Sequence, residues 1–120
     1  MIKKTLVIGA STNPSRYSFM AIQKLTNYGH PVFAIGNKEG EVSGVRITIE
    51  KVMFEDIDTI TLYLNENNQK SFYDYILDLK PKRVLFNPGT ENEELQNLLS
   101  KNKIAFEEAC TLVLLSIGKY

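Results

Sequence analysis

The chain has 120 residues, 43% of them hydrophobic, so it is long enough and apolar enough to bury the core of one domain. Fourteen basic and fourteen acidic residues cancel, which leaves no overall positive field to hold a nucleic acid. A single cysteine, Cys110, excludes an internal disulfide, and with one histidine, His30, the chain has too few ligands for a zinc site. The apolar stretch at 5–10 is too short to span a membrane, so we expect no membrane partner and a reducing, cytoplasmic location.

The first half of the chain predicts two strands and one helix. Residues 5–9 form a short, β-branched apolar run that ends in glycine, the pattern of a buried parallel strand. Apolar residues then recur at helical spacing between Phe19 and Tyr28, and a glycine follows as the predicted C-terminal cap. A second strand is predicted at 31–35, and the polar, glycine-containing stretch 36–44 is interpreted as a long loop.

The second half predicts three more strands and three helices. Runs of β-branched, aromatic and apolar residues indicate the strands, and apolar residues at helical spacing indicate the first two helices. Thr90 and Glu93 match a capping box at the start of the second of these helices. Residues 45–49 alternate polar and apolar side chains, which is consistent with a short additional edge strand. The predicted strands are 58–64, 82–86 and 104–106, and the predicted helices are 68–80, 91–102 and 109–117.

Five strands that alternate with helices predict an α/β fold: one Rossmann-like domain over residues 1–120 with a doubly wound, parallel, five-stranded sheet. Right-handed crossovers predict the strand order 3-2-1-4-5, so that the order reverses between strands one and four. Ligands of such sheets bind outside the carboxyl ends of the strands at this reversal. The loops 9–15 and 87–90 are therefore expected to border the site.

The first of these loops is the stronger candidate for binding an anion. It joins a buried strand to a helix, so backbone N–H groups and the positive end of the helix dipole face the crevice. Arg16, in the first turn of the helix, opposes the dipole, and a bound phosphate would explain its position. Because the loop has one glycine and matches neither the G-x-G-x-x-G nor the Walker pattern, an ordinary strand–helix turn capped by serine is the alternative.

The end of the second strand separates the candidate cofactors. A conventional NAD site has a carboxylate there to bind the ribose diol, whereas this chain has Asn37 and Lys38. An ammonium group suits a phosphorylated ribose, as in coenzyme A or NADP, and an ordinary solvated lysine is the alternative. Across the switch point, Gly89 permits close backbone approach and Thr90 is predicted to cap the next helix. That loop is interpreted either as a ligand contact or as a tight turn.

The identity and order of these segments are similar to those of a known family. From Gly9-Ala10-Ser11 through Asn87-Pro88-Gly89 to Cys110, the chain resembles the small bacterial CoA-binding proteins, single domains similar to the CoA-binding domain of succinyl-CoA synthetase. The resemblance implies that the first loop and Arg16 hold the pyrophosphate of coenzyme A. It also implies that residues 35–38 lie near the adenosine and that residues 63–65 line the same pocket. It implies cofactor binding and no particular reaction.

We therefore predict a binding protein for coenzyme A or an acyl-CoA, with NADP as the alternative cofactor and a small nucleotide as the partner. Whether the chain is also an enzyme is left open, with binding alone favoured because no nucleophile elbow, carboxylate pair or metal motif is present. The competing hypotheses are an NADP- or NAD-binding enzyme or subunit, and a nucleotide-sensing or structural module; a homodimer is left open. The predicted cofactor-binding residues are Gly9, Ala10, Ser11, Thr12, Asn13, Ser15, Arg16, Asn37, Lys38, Asn65, Asn87 and Gly89.

Overall fold

A computed structural model describes all residues, 1–120, as one seven-stranded sheet with helices packed on both faces. This is the predicted Rossmann-like α/β class. The strands are β1 (Thr5–Ala10), β2 (Val32–Gly36), β3 (Gly40–Val42), β4 (Val45–Thr48), β5 (Thr59–Leu62), β6 (Arg83–Phe86) and β7 (Ala105–Glu108). The helices are α1 (Tyr17–Asn27), α2 (Glu66–Gln69), α3 (Tyr73–Leu79), α4 (Glu93–Lys101) and α5 (Thr111–Ser116), with a 3₁₀ turn at Lys70–Phe72 between α2 and α3.

The sheet has seven strands rather than the predicted five. The strand order is β3-β4-β2-β1-β5-β6-β7, and only β3 runs antiparallel to its neighbour. The prediction of a long loop at 36–44 is wrong because β3 lies within it and forms a hairpin with β4. β4 corresponds to the additional strand suggested at 45–49, but it lies between β3 and β2 and not at the edge of the sheet. Ser43 and Gly44 have positive φ angles of 51° and 80°, as in the two-residue type I′ turns that join twisted strands. Val42 pairs with Val45 across this turn.

The predicted strand order is wrong in one assignment. β4, and not the strand predicted at 58–64, lies beside β2, while β5 pairs with β1 on the other side. Ile47 of β4 is fully buried, which stabilises this short strand inside the sheet. If β3 is left out and β4 is counted as the third strand, the remaining six strands follow the order 3-2-1-4-5-6, which is the Rossmann order. The order therefore reverses between β1 and β5, and the loops that follow these two strands are neighbours.

Two apolar clusters cover the two faces of the sheet. Leu25 of α1 and Leu115 of α5 pack on one face, and Ile76 of α3 and Leu99 of α4 pack on the other. Because helices cover the central strands on both faces of the sheet, the side chains on both faces of β1 are apolar, which explains its continuous hydrophobic run. The carboxyl edge of the sheet is left for the connecting loops.

The start of α4 differs from the predicted capping box. Asn92, and not Thr90, caps this helix, because Asn92 Oδ1 accepts a hydrogen bond from the backbone N–H of Leu95 at 3.2 Å. The Thr90 hydroxyl instead donates to the Asn87 carbonyl oxygen at 2.8 Å, within the loop that joins β6 to α4. The helix predicted at 109–117 is confirmed as α5.

His30 lies before β2, at the amino edge of the sheet and away from the reversal of strand order. Its Nδ1 accepts a hydrogen bond from the backbone N–H of Lys3 at 3.0 Å, and its ring centre lies 5.0 Å from that of Tyr120. Burial lowers the pKa of His30, and the positive charges of Lys3 and Arg83 lower it further, against a smaller opposite effect of Asp58. His30 is therefore neutral in the folded protein near pH 7.

The lowered pKa predicts a loss of stability on acidification. His30 binds a proton near pH 6.5 in the unfolded chain and only at lower pH in the folded one, so the free energy of unfolding falls as pH decreases through this window. We expect the melting temperature to fall between about pH 7 and about pH 5.5, followed by circular dichroism. The His30→Gln variant has no group at this position that titrates in this pH range, so its melting temperature should fall less. An equal fall in both proteins would assign the effect to other groups.

Candidate functional site

A cavity of about 1020 Å³ opens at the carboxyl edge of the sheet. Its size is at the upper end of the range typical of small-molecule sites. Residues that follow β1, β2, β5 and β6 line it, which is where ligands bind in open α/β sheets. All the predicted cofactor-binding residues except Ser15 and Asn87 line this cavity: Gly9, Ala10, Ser11, Thr12, Asn13, Arg16, Asn37, Lys38, Asn65 and Gly89.

Gly9 forms the floor of the cavity where β1 and the segment after β5 come closest. The backbone N–H of Tyr63 donates to the carbonyl oxygen of Ile8 at 2.8 Å. Gly9 has a φ of +96°, and a Cβ at this position would lie 2.8 Å from the carbonyl carbon of Tyr63. Both the backbone conformation and the space therefore require glycine here.

The loop after Gly9 is held by its own side chains. The backbone N–H of Asn13 donates to Ser11 Oγ at 3.0 Å, and both the backbone N–H and the hydroxyl of Ser15 donate to Asn13 Oδ1, at 3.0 and 2.8 Å. The backbone N–H groups of Asn13 and Ser15 are therefore used within the loop. Ser15, whose hydroxyl is used there too, stabilises the loop and does not line the cavity. The backbone N–H groups of Ser11 and Thr12 have no partner in the chain.

The N-terminus of α1 adds further donors and a positive charge. Arg16 is the N-cap residue, its side chain makes no capping hydrogen bond, and the first turn contains no acidic residue. The backbone N–H groups of Tyr17 and Ser18 have no acceptor in the chain, as is usual for the first turn of a helix. Both residues line the cavity. This end of the cavity is therefore suited to an anion.

The charged side chains that line the cavity are both positive. They are Arg16 and Lys38, both are exposed, and neither takes part in an ion pair. No aspartate or glutamate lines the cavity. A ligand in this position meets two uncompensated cations and, after β2, an amide at Asn37 where a conventional NAD site has a carboxylate.

Asn87 lies beneath the cavity and is 2% exposed. Its Nδ2 donates to the hydroxyl of Thr61 at 2.6 Å and to the carbonyl oxygen of Leu62 at 2.9 Å. Its Oδ1 accepts from the backbone N–H of Thr111 at 2.8 Å. Asn87 thus connects the ends of β5 and β6 to the start of α5, and its amide is fully used inside the protein.

Residues 3–116 match the family described as CoA binding domain. The chain belongs to this family. The match spans every strand and helix of this CoA binding domain, from β1 to α5, and it confirms the resemblance noted in the sequence. A comparison with the curated proteins found no match.

Solved structures share the fold of this CoA binding domain over 92% to 100% of its length. It is similar to a crystal structure of an uncharacterized protein, with 51% identity and a TM-score of 0.97, covering 100% of this chain and 99% of that one. A structure from Thermus thermophilus has 17% identity and a TM-score of 0.85, covering 98% and 91% of the two chains. A hypothetical protein from Pyrococcus horikoshii OT3 has 21% identity and a TM-score of 0.82, covering 92% and 79%. The last two comparisons concern the fold alone.

Several cavity-lining residues of this CoA binding domain were not singled out in the sequence. Tyr17, Ile49, Asn68 and Phe72 line the cavity as well. Phe72 was read as part of an apolar helical face, and Ile49 as the end of an edge strand. Only the position of β4 beside β2, and the break of the predicted helix at the 3₁₀ turn, bring these two side chains to the cavity.

Tyr63 contributes one wall of the cavity and directs its hydroxyl into the protein. The hydroxyl is buried beside Thr61 and Thr111 without hydrogen-bond geometry to either. Burial raises the pKa of Tyr63 to about 12, so the phenol stays protonated and uncharged at neutral pH. Tyr63 therefore adds no negative charge to the cavity.

Neither Cys110 nor His30 lines the cavity. Cys110 is half-buried at the N-cap of α5. No group of three or more histidine, cysteine, aspartate or glutamate side chains is arranged to hold a metal ion. No helix combines the length and the apolar character needed to cross a bilayer.

Proposed function

We propose that this domain binds coenzyme A or an acyl-CoA in the cavity at the carboxyl edge of the sheet. The free N–H groups of Ser11, Thr12 and the first turn of α1, together with the Arg16 guanidinium, would hold the pyrophosphate. Lys38 would hold the phosphate on the ribose. The observation that carries the proposal is the pair of unpaired cations in a cavity free of carboxylates.

The chemistry of coenzyme A fits these residues. The cofactor carries a pyrophosphate and a ribose 3′-phosphate, so two separate anionic groups need partners. Arg16 follows β1 and Lys38 follows β2, and these strands are neighbours in the sheet. Guanidinium and ammonium groups form charge-assisted hydrogen bonds with phosphate, and backbone N–H groups at a helix N-terminus add to them. Family membership supports the same ligand class.

Isothermal titration calorimetry with coenzyme A, NADP and NAD in parallel tests the proposal, with thermal shift as an independent readout. A ligand that binds only the folded protein raises its melting temperature. We expect coenzyme A to bind and NAD, which has no phosphate on a ribose 2′- or 3′-hydroxyl, to bind more weakly. Tighter binding of NAD, or no binding of coenzyme A, would overturn the proposal.

NADP is the second candidate because its ribose 2′-phosphate would suit Lys38 equally well. The same titrations separate the two. Binding of NADP in preference to coenzyme A would assign the site to a dinucleotide, and would leave the roles given to Arg16 and Lys38 in place.

The role of Lys38 has a test of its own. The Lys38→Ala variant should bind coenzyme A roughly fivefold to tenfold more weakly, because an exposed ammonium contributes modestly to phosphate binding. Its affinity for dephospho-CoA, which lacks the 3′-phosphate, should match that of the wild type. Calorimetry with both ligands and both proteins measures the difference. An equal loss for the two ligands would show that Lys38 does not contact the ribose phosphate.

A further inference from the structure

A network of buried side-chain hydrogen bonds lies behind the cavity wall formed by the β5–α2 and β6–α4 connections. At its centre is Gln69, which is fully buried at the end of α2. Its Nε2 donates to the carbonyl oxygens of Leu64, at 2.9 Å, and of Thr90, at 2.7 Å. Its Oε1 accepts from Asn92 Nδ2 at 2.9 Å. One side-chain amide thus connects the two segments that form this wall.

The network continues outward to the surface of α4. Asn92 caps α4 through its Oδ1 and donates from Nδ2 to the Tyr73 hydroxyl at 2.8 Å as well as to Gln69. The Tyr73 hydroxyl donates to Glu94 Oε1 at 2.9 Å. Both N–H groups and the oxygen of the Gln69 and Asn92 amides therefore have partners. A fully satisfied buried network favours one arrangement of the groups that it connects.

The wall supported by Gln69 lies on the side of the cavity opposite Lys38. Asn65 lines it from the β5–α2 connection, Asn68 lines it from α2, and Gly89 lines it from the β6–α4 connection. Across the sheet, β2, β1, β5 and β6 are consecutive neighbours, so the ends of β2 and β6 are about 14 Å apart at the usual strand spacing. A ligand whose phosphates lie at Arg16 and Lys38 therefore extends its remaining part along the wall supported by Gln69.

We infer that Gln69 is a positioning residue for the pantetheine arm of the ligand. It does not line the cavity, but it sets the separation of the Leu64 and Thr90 carbonyl groups and thereby the shape of the wall that the arm follows. This inference rests on the proposed function, because the arm is the part of coenzyme A that remains once its phosphates are placed. Without the amide, the carbonyl oxygens of Leu64 and Thr90 lose this donor and Asn92 Nδ2 loses one of its two acceptors, so the side-chain link between the two connections is lost.

The experiment compares two ligands on three variants by calorimetry. Coenzyme A carries the arm, whereas adenosine 3′,5′-bisphosphate keeps the adenosine with its 3′- and 5′-phosphates and lacks the second phosphate of the pyrophosphate and the arm. We expect Gln69→Leu, which conserves side-chain volume, to weaken coenzyme A binding roughly tenfold, the effect of one unsatisfied buried group. The affinity for adenosine 3′,5′-bisphosphate should stay the same. Tyr73→Phe removes only the outer link and should show the same pattern with a smaller loss; it carries the test should Gln69→Leu fail to fold.

Leu25→Ala is the control for a general loss of stability. Leu25 is fully buried in the cluster on the opposite face of the sheet and takes no part in the hydrogen-bond network of Gln69. Its replacement should lower the melting temperature and leave both affinities unchanged below that temperature.

The outcomes separate the two proposals. Wild-type protein that binds neither ligand would overturn the proposed function and this inference with it. Wild-type protein that binds both, with network variants that lose affinity for both equally or for neither, would overturn the inference alone. A loss of affinity in Leu25→Ala as large as in Gln69→Leu would also overturn it, because stability would then account for the effect.

Discussion

Replacing Arg16 with glutamate is expected to weaken coenzyme A binding by roughly a hundredfold. The change removes charge-assisted hydrogen bonds to phosphate and puts a like charge beside the pyrophosphate. The free energy of unfolding should increase slightly or stay constant, since an acidic residue at a helix N-terminus interacts favourably with the helix dipole. Calorimetry should therefore show lost binding while the melting temperature is unchanged or slightly higher, a combination that damage to the fold would not produce.

Arg46→Glu is the matched control for this charge reversal. Arg46 is exposed on β4, outside the residues that line the cavity. The Arg46→Glu substitution changes the net charge by the same amount as Arg16→Glu, so any general electrostatic effect on an anionic ligand appears in both variants. We expect Arg46→Glu to bind coenzyme A within about twofold of the wild type. Similar losses in the two variants would mean that Arg16 acts through the overall charge and does not contact the phosphates.

Replacing Gly36 with alanine is expected to lower the free energy of unfolding by about 3 kcal/mol. A Cβ at Gly36 would lie 2.3 Å from the carbonyl oxygen of Ala10 and 3.0 Å from Ile47 Cγ2. The first contact is with backbone at the end of β1 and cannot be relieved by rotating a side chain, so β1 and β2 must separate. For a chain of this size the melting temperature should fall by roughly 10 °C, measured by calorimetry or circular dichroism. Coenzyme A binding should weaken too, because Ala10 and Gly36 both line the cavity.

Gly44→Asn separates this contact from the general effect of changing a glycine. Gly44 is in the hairpin turn with a φ of +80°, and a Cβ there would meet nothing within 4 Å. Asparagine tolerates this backbone conformation, so the cost should be below about 1 kcal/mol. A cost for Gly36→Ala as small as that for Gly44→Asn would show that β1 and β2 can separate without loss, and that the close approach of their ends is not needed.

Most of the strands and helices could be predicted from local patterns, and the exceptions have specific causes. The sequence indicates β4 as a short edge strand at 45–49 but not β3 or the hairpin that the two strands form. Ser43-Gly44 between two valines is a turn signal, yet the surrounding 36–44 stretch is polar and β3 has only three residues. The cap of α4 was assigned to Thr90 on spacing alone. Asn92 is an equally good capping residue by type, and the choice between them depends on Gln69, which is 23 positions away and holds the Asn92 amide.

The loops of the candidate site could be predicted because each depends on short-range features of the chain. A glycine after a buried strand, a polar turn and a helix start place Ser11, Thr12 and Arg16 together without knowledge of the rest. On the far wall, Asn65 and Gly89 were predicted as ligand contacts, but short-range features do not separate lining residues from buried ones. Asn87 has the same polar side chain as Asn65. The Asn87 side chain is buried and makes three hydrogen bonds inside the protein, whereas Asn65 lines the cavity.

The amino-acid sequence by itself determined the class of fold, the loop whose free N–H groups and Arg16 lie at the cavity, and the resemblance to CoA-binding proteins, since strand and helix periodicity and turn chemistry are local properties. Only the tertiary structure decided that β4 lies beside β2 and β5 beside β1, because strand order is set by contacts between distant residues, such as the packing of Ile47 in one cluster with Ile22 and Leu25 of α1. The same is true of the wall opposite Lys38. Its shape follows from hydrogen bonds between Gln69 and groups up to 23 positions away, and no local pattern in the sequence encodes such partners.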